Sequence, residues 1–205
     1  MIAVIDYGMG NLRSVSKALE FVGADVKVTD KPGEIKDASG IVLPGVGAFK
    51  DAVRNLNERG LWNPVIDDVL KGKPFLGICL GLHLLFEKGF EFGETEGLGL
   101  IKGNVVKFQL PFKYKIPHMG WNQINIRKNI EFVADVRDGE FFYFVHSYYV
   151  QPKDEDVVLT TTDYGTEFVS SVAKDNIVAT QFHPEKSQKA GLKLLENFVK
   201  MVEKS

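Results

Sequence analysis

The sequence predicts an α/β fold: a mostly parallel central sheet flanked by helices, followed by a β-rich part with antiparallel or mixed strands. Three observations carry this expectation. Short apolar runs without alternation, such as "IAVI" and "GIVLPG", suit strands buried on both faces, as in a parallel sheet. In the first half these runs alternate with segments of helical period. After about residue 97 the helical segments give way to strand-like runs joined by short polar turns.

Taken in order, "IAVI" (2–5) is a buried strand and "DYGMGN" (6–11) a tight turn ending at Asn11, a residue type suited to capping a helix. Leu12, Val15, Leu19 and Val22 recur at helical spacing, and Gly23 suits the position just past the helix end. "DVKVT" (25–29) and "GIVLPG" (40–45) are the second and third strands. Phe49, Val53 and Leu56 mark a helix closed by Gly60, a short helix runs on to Lys71, and Pro74 opens the strand "PFLGI". The strand-like runs that follow are "GNVVKF", "WNQINI", "FFYFVHSYYV", "VVLTTTDY", "EFVSSVA" and "NIVATQFHPE". Leu192, Leu195, Phe198, Val199 and Val202 form the apolar stripe of a closing helix. No repeat, low-complexity tract or linker interrupts the chain, so residues 1–205 are expected to form one domain.

A net charge of −2 gives no electrostatic case for nucleic acid or an anionic membrane. No apolar run reaches the roughly 18 residues needed to span a bilayer, and the start lacks a basic, long-apolar leader, so a cytoplasmic location is expected. A single cysteine cannot form an internal disulfide. The four histidines offer no short-spaced ligand pair, so neither a metal nor another cofactor is implied. No dinucleotide fingerprint follows the first strand, since "DYGMGN" has only two of the three expected glycines.

The lone thiol sits in "GICLG" (77–81), where a strand hands over to a helix. Gly-x-Cys-x-Gly is the thiol version of the nucleophile elbow, a sharp turn that lifts the side chain above the sheet edge. The helix start that follows favours a thiolate and a developing oxyanion. A buried, inert cysteine at a tight turn is the competing interpretation. A free thiol titrates at about 8.5 and needs a base. Among His83, His118, His146 and His183, only His183 has a carboxylate placed to orient it. In "QFHPE", His183 and Glu185 are two apart and project to the same side of an extended segment, with Pro184 stiffening the link. A solvated turn is the alternative there. His83, four residues after Cys79, is favoured as a pocket wall rather than the base. The glycines of "LPGVGAF" (43–49) allow backbone amides to turn into a cavity, as an oxyanion hole requires.

"PGVG", "GICLG" and "HPE" occur in the order seen in class I (triad) glutamine amidotransferases, which the chain resembles. "DYGMGNLRSV", "LPGVGAF", "GICLGLHLLFE", "PHMGWN", "YFVHSYYV" and "ATQFHPEKS" resemble more closely the glutaminase-subunit family of imidazole glycerol phosphate synthases. The resemblance implies that Cys79 attacks the side-chain amide of glutamine, that His183 relays protons and that Glu185 orients it. It also implies an oxyanion hole of backbone amides at Gly45, Val46, Gly47 and Leu80. In that family the "PGVG" strand is often misoriented at rest, and the partner's ligand favours the competent form. Glu91 matches the receiver of the substrate α-amino group, and the backbone of Ser147 and Tyr148 matches the holder of its α-carboxylate. The family passes ammonia to a cyclase subunit with a (β/α)₈ barrel, forming a heterodimer. Asn11, Trp121, Tyr143 and Lys186 match positions at or near that interface.

One position departs from the pattern. Family members usually carry glutamine, a substrate-holding residue, where this chain has His83. An imidazole does not reproduce amide geometry, so altered glutamine affinity or pH dependence is expected, with activity retained. Three rival functions follow from the same residues: the glutaminase subunit of another synthase, such as one forming pyridoxal phosphate; a non-catalytic regulatory subunit of amidotransferase fold; and an unrelated cysteine hydrolase.

Overall fold

The computed structural model describes residues 1–205. In chain order the elements are β1 (Ile2–Ile5), α1 (Leu12–Phe21), β2 (Val26–Thr29), α2 (Pro32–Asp37), β3 (Gly40–Gly45), α3 (Phe49–Glu58), α4 (Trp62–Leu70), β4 (Phe75–Cys79), α5 (Leu80–Leu84), β5 (Phe86–Gly89), β6 (Thr95–Glu96) and β7 (Ile101–Lys107). They continue with β8 (His118–Gln123), β9 (Asn125–Ile126), β10 (Phe141–His146), β11 (Tyr148–Pro152), β12 (Val158–Asp163), β13 (Glu167–Lys174), β14 (Ile177–Thr180) and α6 (Gln188–Glu203). No helix is long and apolar enough to cross a membrane.

The main sheet runs in the order β2-β1-β3-β4-β14-β13-β11-β7-β5-β6, with β12 and β9 attached beside β13. From β2 to β14 all neighbours are parallel; beyond β14 the pairing is mostly antiparallel, with β5 and β7 parallel. Successive side chains of "IAVI" point to opposite faces and all are apolar, so both faces need cover. Ala3 and Ile5 pack into one core with Ile35, Phe49, Leu56 and Val65 of α2, α3 and α4. Ile2 and Val4 pack into a second core with Val15 and Leu19 of α1 and Leu194, Leu195 and Phe198 of α6. Strands β1, β3, β4 and β14 are buried along their whole length, and burial of both faces is a main source of stability.

Helix α1 ends as its sequence indicates. Gly23 has φ +94°, its N–H donates to Glu20 O at 3.0 Å, and Ala24 N–H donates to Leu19 O at 3.0 Å, a Schellman motif. Asn11 does occupy the cap position of α1, but its side chain makes no capping hydrogen bond. Helix α2 was not anticipated, although Pro32 at its start is a recognisable signal. The run "FFYFVHSYYV" is not one strand. It divides at Ser147 into β10, which pairs with β8 in a separate two-stranded sheet, and β11, which joins the main sheet. The run is rich in apolar and aromatic residues on both sides of the division, so local patterning gives no sign of the change of partner. The leucine-rich exit from Cys79 is likewise helical for only five residues before the chain turns into β5.

Candidate active site

Cys79 ends β4 with φ 54° and ψ −104°, a conformation that non-glycine residues rarely adopt. Its two glycines make the turn possible by letting backbones touch. A Cβ at Gly81 would lie 1.9 Å from Leu43 O, and one at Gly77 would lie 2.8 Å from Gly81 O. Strand β3 and the start of α5 therefore pack backbone to backbone around the thiol. Register Gly45↔Cys79 sets the end of "LPG" directly beside it.

His183 reaches the same place through tertiary pairing. Strand β14 runs parallel to β4 with Thr180 beside Ile78, so the chain leaving β14 passes Cys79. Nδ1 of His183 lies 2.8 Å from Oε1 of Glu185, and both side chains are buried. Nε2 of His183 has no hydrogen-bond partner and is the nitrogen left to exchange a proton. The turn is tied down from several sides. His183 N–H donates to Tyr143 O at 2.9 Å, Ser187 Oγ–H donates to His183 O at 2.6 Å, and Tyr143 N–H donates to Ser187 Oγ at 3.0 Å. Burial opposes the imidazolium, but attraction to Cys79 and Glu185 outweighs it and raises His183 to about 10. Hydrogen-bond geometry between Nε2 and Sγ is not met, so the pull of the sulfur is that of a nearby charge.

A cavity of about 410 Å³ opens at the thiol, within the size range of small-molecule sites. Val46, Gly47, Leu80, His83, Glu91, Ser147 and Tyr148 line it together with Cys79. Oε2 of Glu91 accepts the Phe49 N–H at 2.7 Å, which fixes the carboxylate at the mouth. Gly45 lies behind this wall, and His183 and Glu185 stand behind the sulfur rather than on the cavity surface. His83 is buried, with Nε2 2.7 Å from Oε1 of Gln181. Burial lowers its pKa to about 4 despite that bond, so the ring is neutral at physiological pH.

Trp121, Tyr143 and Lys186 form one patch. Trp121 pairs across strands with Tyr143, their ring centroids 6.2 Å apart, and Lys186 Nζ lies 5.8 Å from the Tyr143 centroid. Met119 and Phe141, two residues from Trp121 and Tyr143 on the same strands, are 62% and 49% exposed and extend the apolar surface. Asn11 stands at the start of α1, a helix that packs against the 184–186 turn carrying Lys186.

Gln181, Met119 and Phe141 did not emerge from the sequence. Period-two spacing from His183, Trp121 and Tyr143 is the signal that points to them.

Beside the cavity, with His146 on its lining, lies a buried pair of neutral histidines. His118 Nδ1 donates to His146 Nε2 at 2.8 Å, and His146 Nδ1 donates to Tyr148 O at 2.8 Å; the tautomers follow from that carbonyl, which can only accept. Burial lowers His118 to about 4 and His146 well below 6.5. Between pH 6.5 and about 4 the unfolded chain therefore binds protons that these residues and His83 refuse when folded. The contribution of these three histidines to stability is full above 6.5 and declines as pH falls through this window, whereas that of His183, raised to about 10, is lost at the alkaline end. Each such histidine is expected to cost on the order of 1–2 kcal/mol at pH 5. A thermal melting series from pH 7 to 5, above the titration of exposed carboxylates, checks this; a flat midpoint would contradict it.

Comparison with known proteins gives a consistent result. The glutamine amidotransferase class-I family model matches residues 3–202. The imidazole glycerol phosphate synthase subunit HisH of Aquifex aeolicus is 60% identical over 202 residues, covering 98% of this chain and 97% of that protein. The protein of the same description from Caldanaerobacter subterraneus subsp. tengcongensis is 53% identical, covering 98% of each. A solved glutamine amidotransferase superposes with TM-score 0.77 at 18% identity, covering 99% of this chain and 100% of its own. PurLQS from Thermotoga maritima gives TM-score 0.76 at 19% identity, covering 97% of each chain. At such identities the structural likeness speaks for the fold.

Proposed function

Because the chain belongs to the class-I glutamine amidotransferase family, and within it to the HisH subunits of imidazole glycerol phosphate synthase, we propose that Cys79, His183 and Glu185 are its catalytic triad. The chain is the glutamine amidotransferase subunit of that synthase, in histidine biosynthesis. The observation that carries the triad is the elbow thiol with a buried His183–Glu185 pair behind it, 2.8 Å apart.

The Cys79 thiolate attacks the carbonyl carbon of the glutamine side chain, and the C=O electrons move onto oxygen. Amide donors of Gly47, Val46 and Leu80 surround that oxyanion, with Gly45 anchoring their strand. The protonated Nε2 of His183 gives its proton to the leaving nitrogen, the C–N bond breaks, and ammonia departs from a thioester. Water then attacks the thioester while His183 takes its proton; the C–S bond breaks and glutamate leaves. Glu185 holds Nδ1–H throughout and stabilises the imidazolium. Glu91 receives the substrate α-amino group, and Ser147 and Tyr148 present backbone to its α-carboxylate. His83 forms a wall of the glutamine pocket.

The partner in this proposal is a (β/α)₈-barrel cyclase subunit bound as a heterodimer, which receives the ammonia. Trp121, Tyr143, Lys186 and Asn11 would meet it, with Met119 and Phe141 widening the apolar contact. Trp121→Ala is expected to weaken the complex by about 30-fold, as a central aromatic anchor does, and to leave the free chain's melting point unchanged; titration calorimetry reads this. The functional test is glutamate release from glutamine, with and without the cyclase and its ribotide ligand. Release that rises strongly only with both supports a coupled glutaminase. Equal release from the isolated chain would overturn the coupling.

A further inference from the structure

The sulfur of Cys79 has two polar neighbours besides His183. Val145 O lies 4.0 Å away and accepts from a protonated thiol. The side-chain amide nitrogen of Gln181 lies 3.8 Å away and donates to the sulfur. A thiolate repels the first and attracts the second. Gln181 is fully buried, and its amide oxygen lies 2.7 Å from Nε2 of His83, also buried. An amide oxygen only accepts, so His83 carries the proton on Nε2 in this arrangement. With the oxygen so held, the amide NH₂ has no orientation left but toward the sulfur.

We propose that Gln181 is a further catalytic residue of the thiol centre, donating its side-chain N–H to the Cys79 thiolate, and that His83 is the positioning residue that locks the amide in that orientation. The proposal rests on Cys79 being the nucleophile and adds a residue to its surroundings. It gives His83 a function that does not require contact with glutamine. It also accounts for a histidine where the resemblance leads one to expect glutamine: either side chain can present an N–H to the Gln181 oxygen, whereas an apolar one cannot.

The charged and titratable groups around the sulfur are few. His183, backed by Glu185, faces it from the turn after β14; Tyr7 lies across from the β1–α1 turn; His83 approaches from α5; and His146 and Glu91 lie around the cavity. Burial pushes Tyr7 up and His83 and His146 down, so these three are uncharged at neutral pH. His183 and Gln181 are left as the groups that favour negative charge on the sulfur.

The test uses the fact that Cys79 is the only cysteine, so alkylation reports it alone. The pH midpoint of iodoacetamide labelling is measured for the full chain and its variants. Gln181→Met, of similar shape without donors, is expected to raise the midpoint by about one pH unit, the size of a lost hydrogen bond to a charged group. His83→Leu should raise it by about half as much, and His83→Gln should restore it. Should Gln181→Met fail to fold, Gln181→Glu, which turns an acceptor toward the sulfur, should raise the midpoint further still. In the assembled enzyme Gln181→Met should lower kcat about tenfold with little change in KM, His83→Leu about threefold, and His83→Gln should match the parent. An unmoved labelling midpoint in folded Gln181→Met or Gln181→Glu overturns the proposal. Glutamate release by the parent chain with its partner is a separate measurement, and its absence would overturn the glutaminase function instead.

Discussion

Cys79→Ala is expected to lower glutamine hydrolysis by at least about 10⁴-fold while the fold persists, as loss of a nucleophile in an otherwise intact site does. The companion variant, Cys79→Gly, is expected to be equally inactive but more stable than Cys79→Ala by about 1 kcal/mol. The usual order is the reverse, since glycine loses more conformational freedom than alanine on folding. At φ 54° and ψ −104° the order inverts, because any Cβ is strained there and glycine is not. Urea unfolding of the two variants measures the difference, and glutamate release measures the activity. Equal stability, or alanine the more stable, would mean that the elbow holds no backbone strain.

Gly81→Ala is the second large effect. Its Cβ would lie 1.9 Å from Leu43 O and 3.0 Å from Leu43 C, and backbone on both sides cannot yield as a flexible side chain can. Either β3 or the start of α5 must move. The first shift displaces Gly45 to Gly47 and the second displaces Cys79, so both damage the site. A loss of about 3 kcal/mol in stability and at least about 100-fold in kcat/KM is expected. Gly33→Ala is the control. That glycine lies within α2 with nothing within 4 Å of an added Cβ, and alanine there should be neutral or stabilising by up to about 1 kcal/mol. Comparable losses at Gly81 and Gly33 would mean that the close approach at the elbow has no special weight.

Much of the candidate site was legible because its pieces are local. Gly77, Cys79 and Gly81 carry their meaning within five residues, and His183 and Glu185 within three. The resemblance of the surrounding motifs supplied the positions proposed to hold substrate and to meet a partner, which spacing alone does not reveal. Gln181 was overlooked for the opposite reason. Its significance depends on a sulfur 102 residues away and on the orientation of an amide that His83 holds from 98 residues away.

Sequence by itself determined the parallel half of the sheet, since runs such as "IAVI" and "GIVLPG" are apolar at every position and must be covered on both faces. It also determined the sharp turn at Cys79 and the paired imidazole and carboxylate of "HPE", both set by near-neighbour geometry. Only the tertiary structure decided that β14 lies parallel beside β4, the pairing that brings His183 and Gln181 to the sulfur. Only it divided 141–152 between two sheets, leaving Trp121 and Tyr143 on an exposed ribbon and Ser147 and Tyr148 at the cavity. The physical reason is common to both. Periodicity says which face of a strand is buried, but strand partners are chosen by the packing of the whole chain.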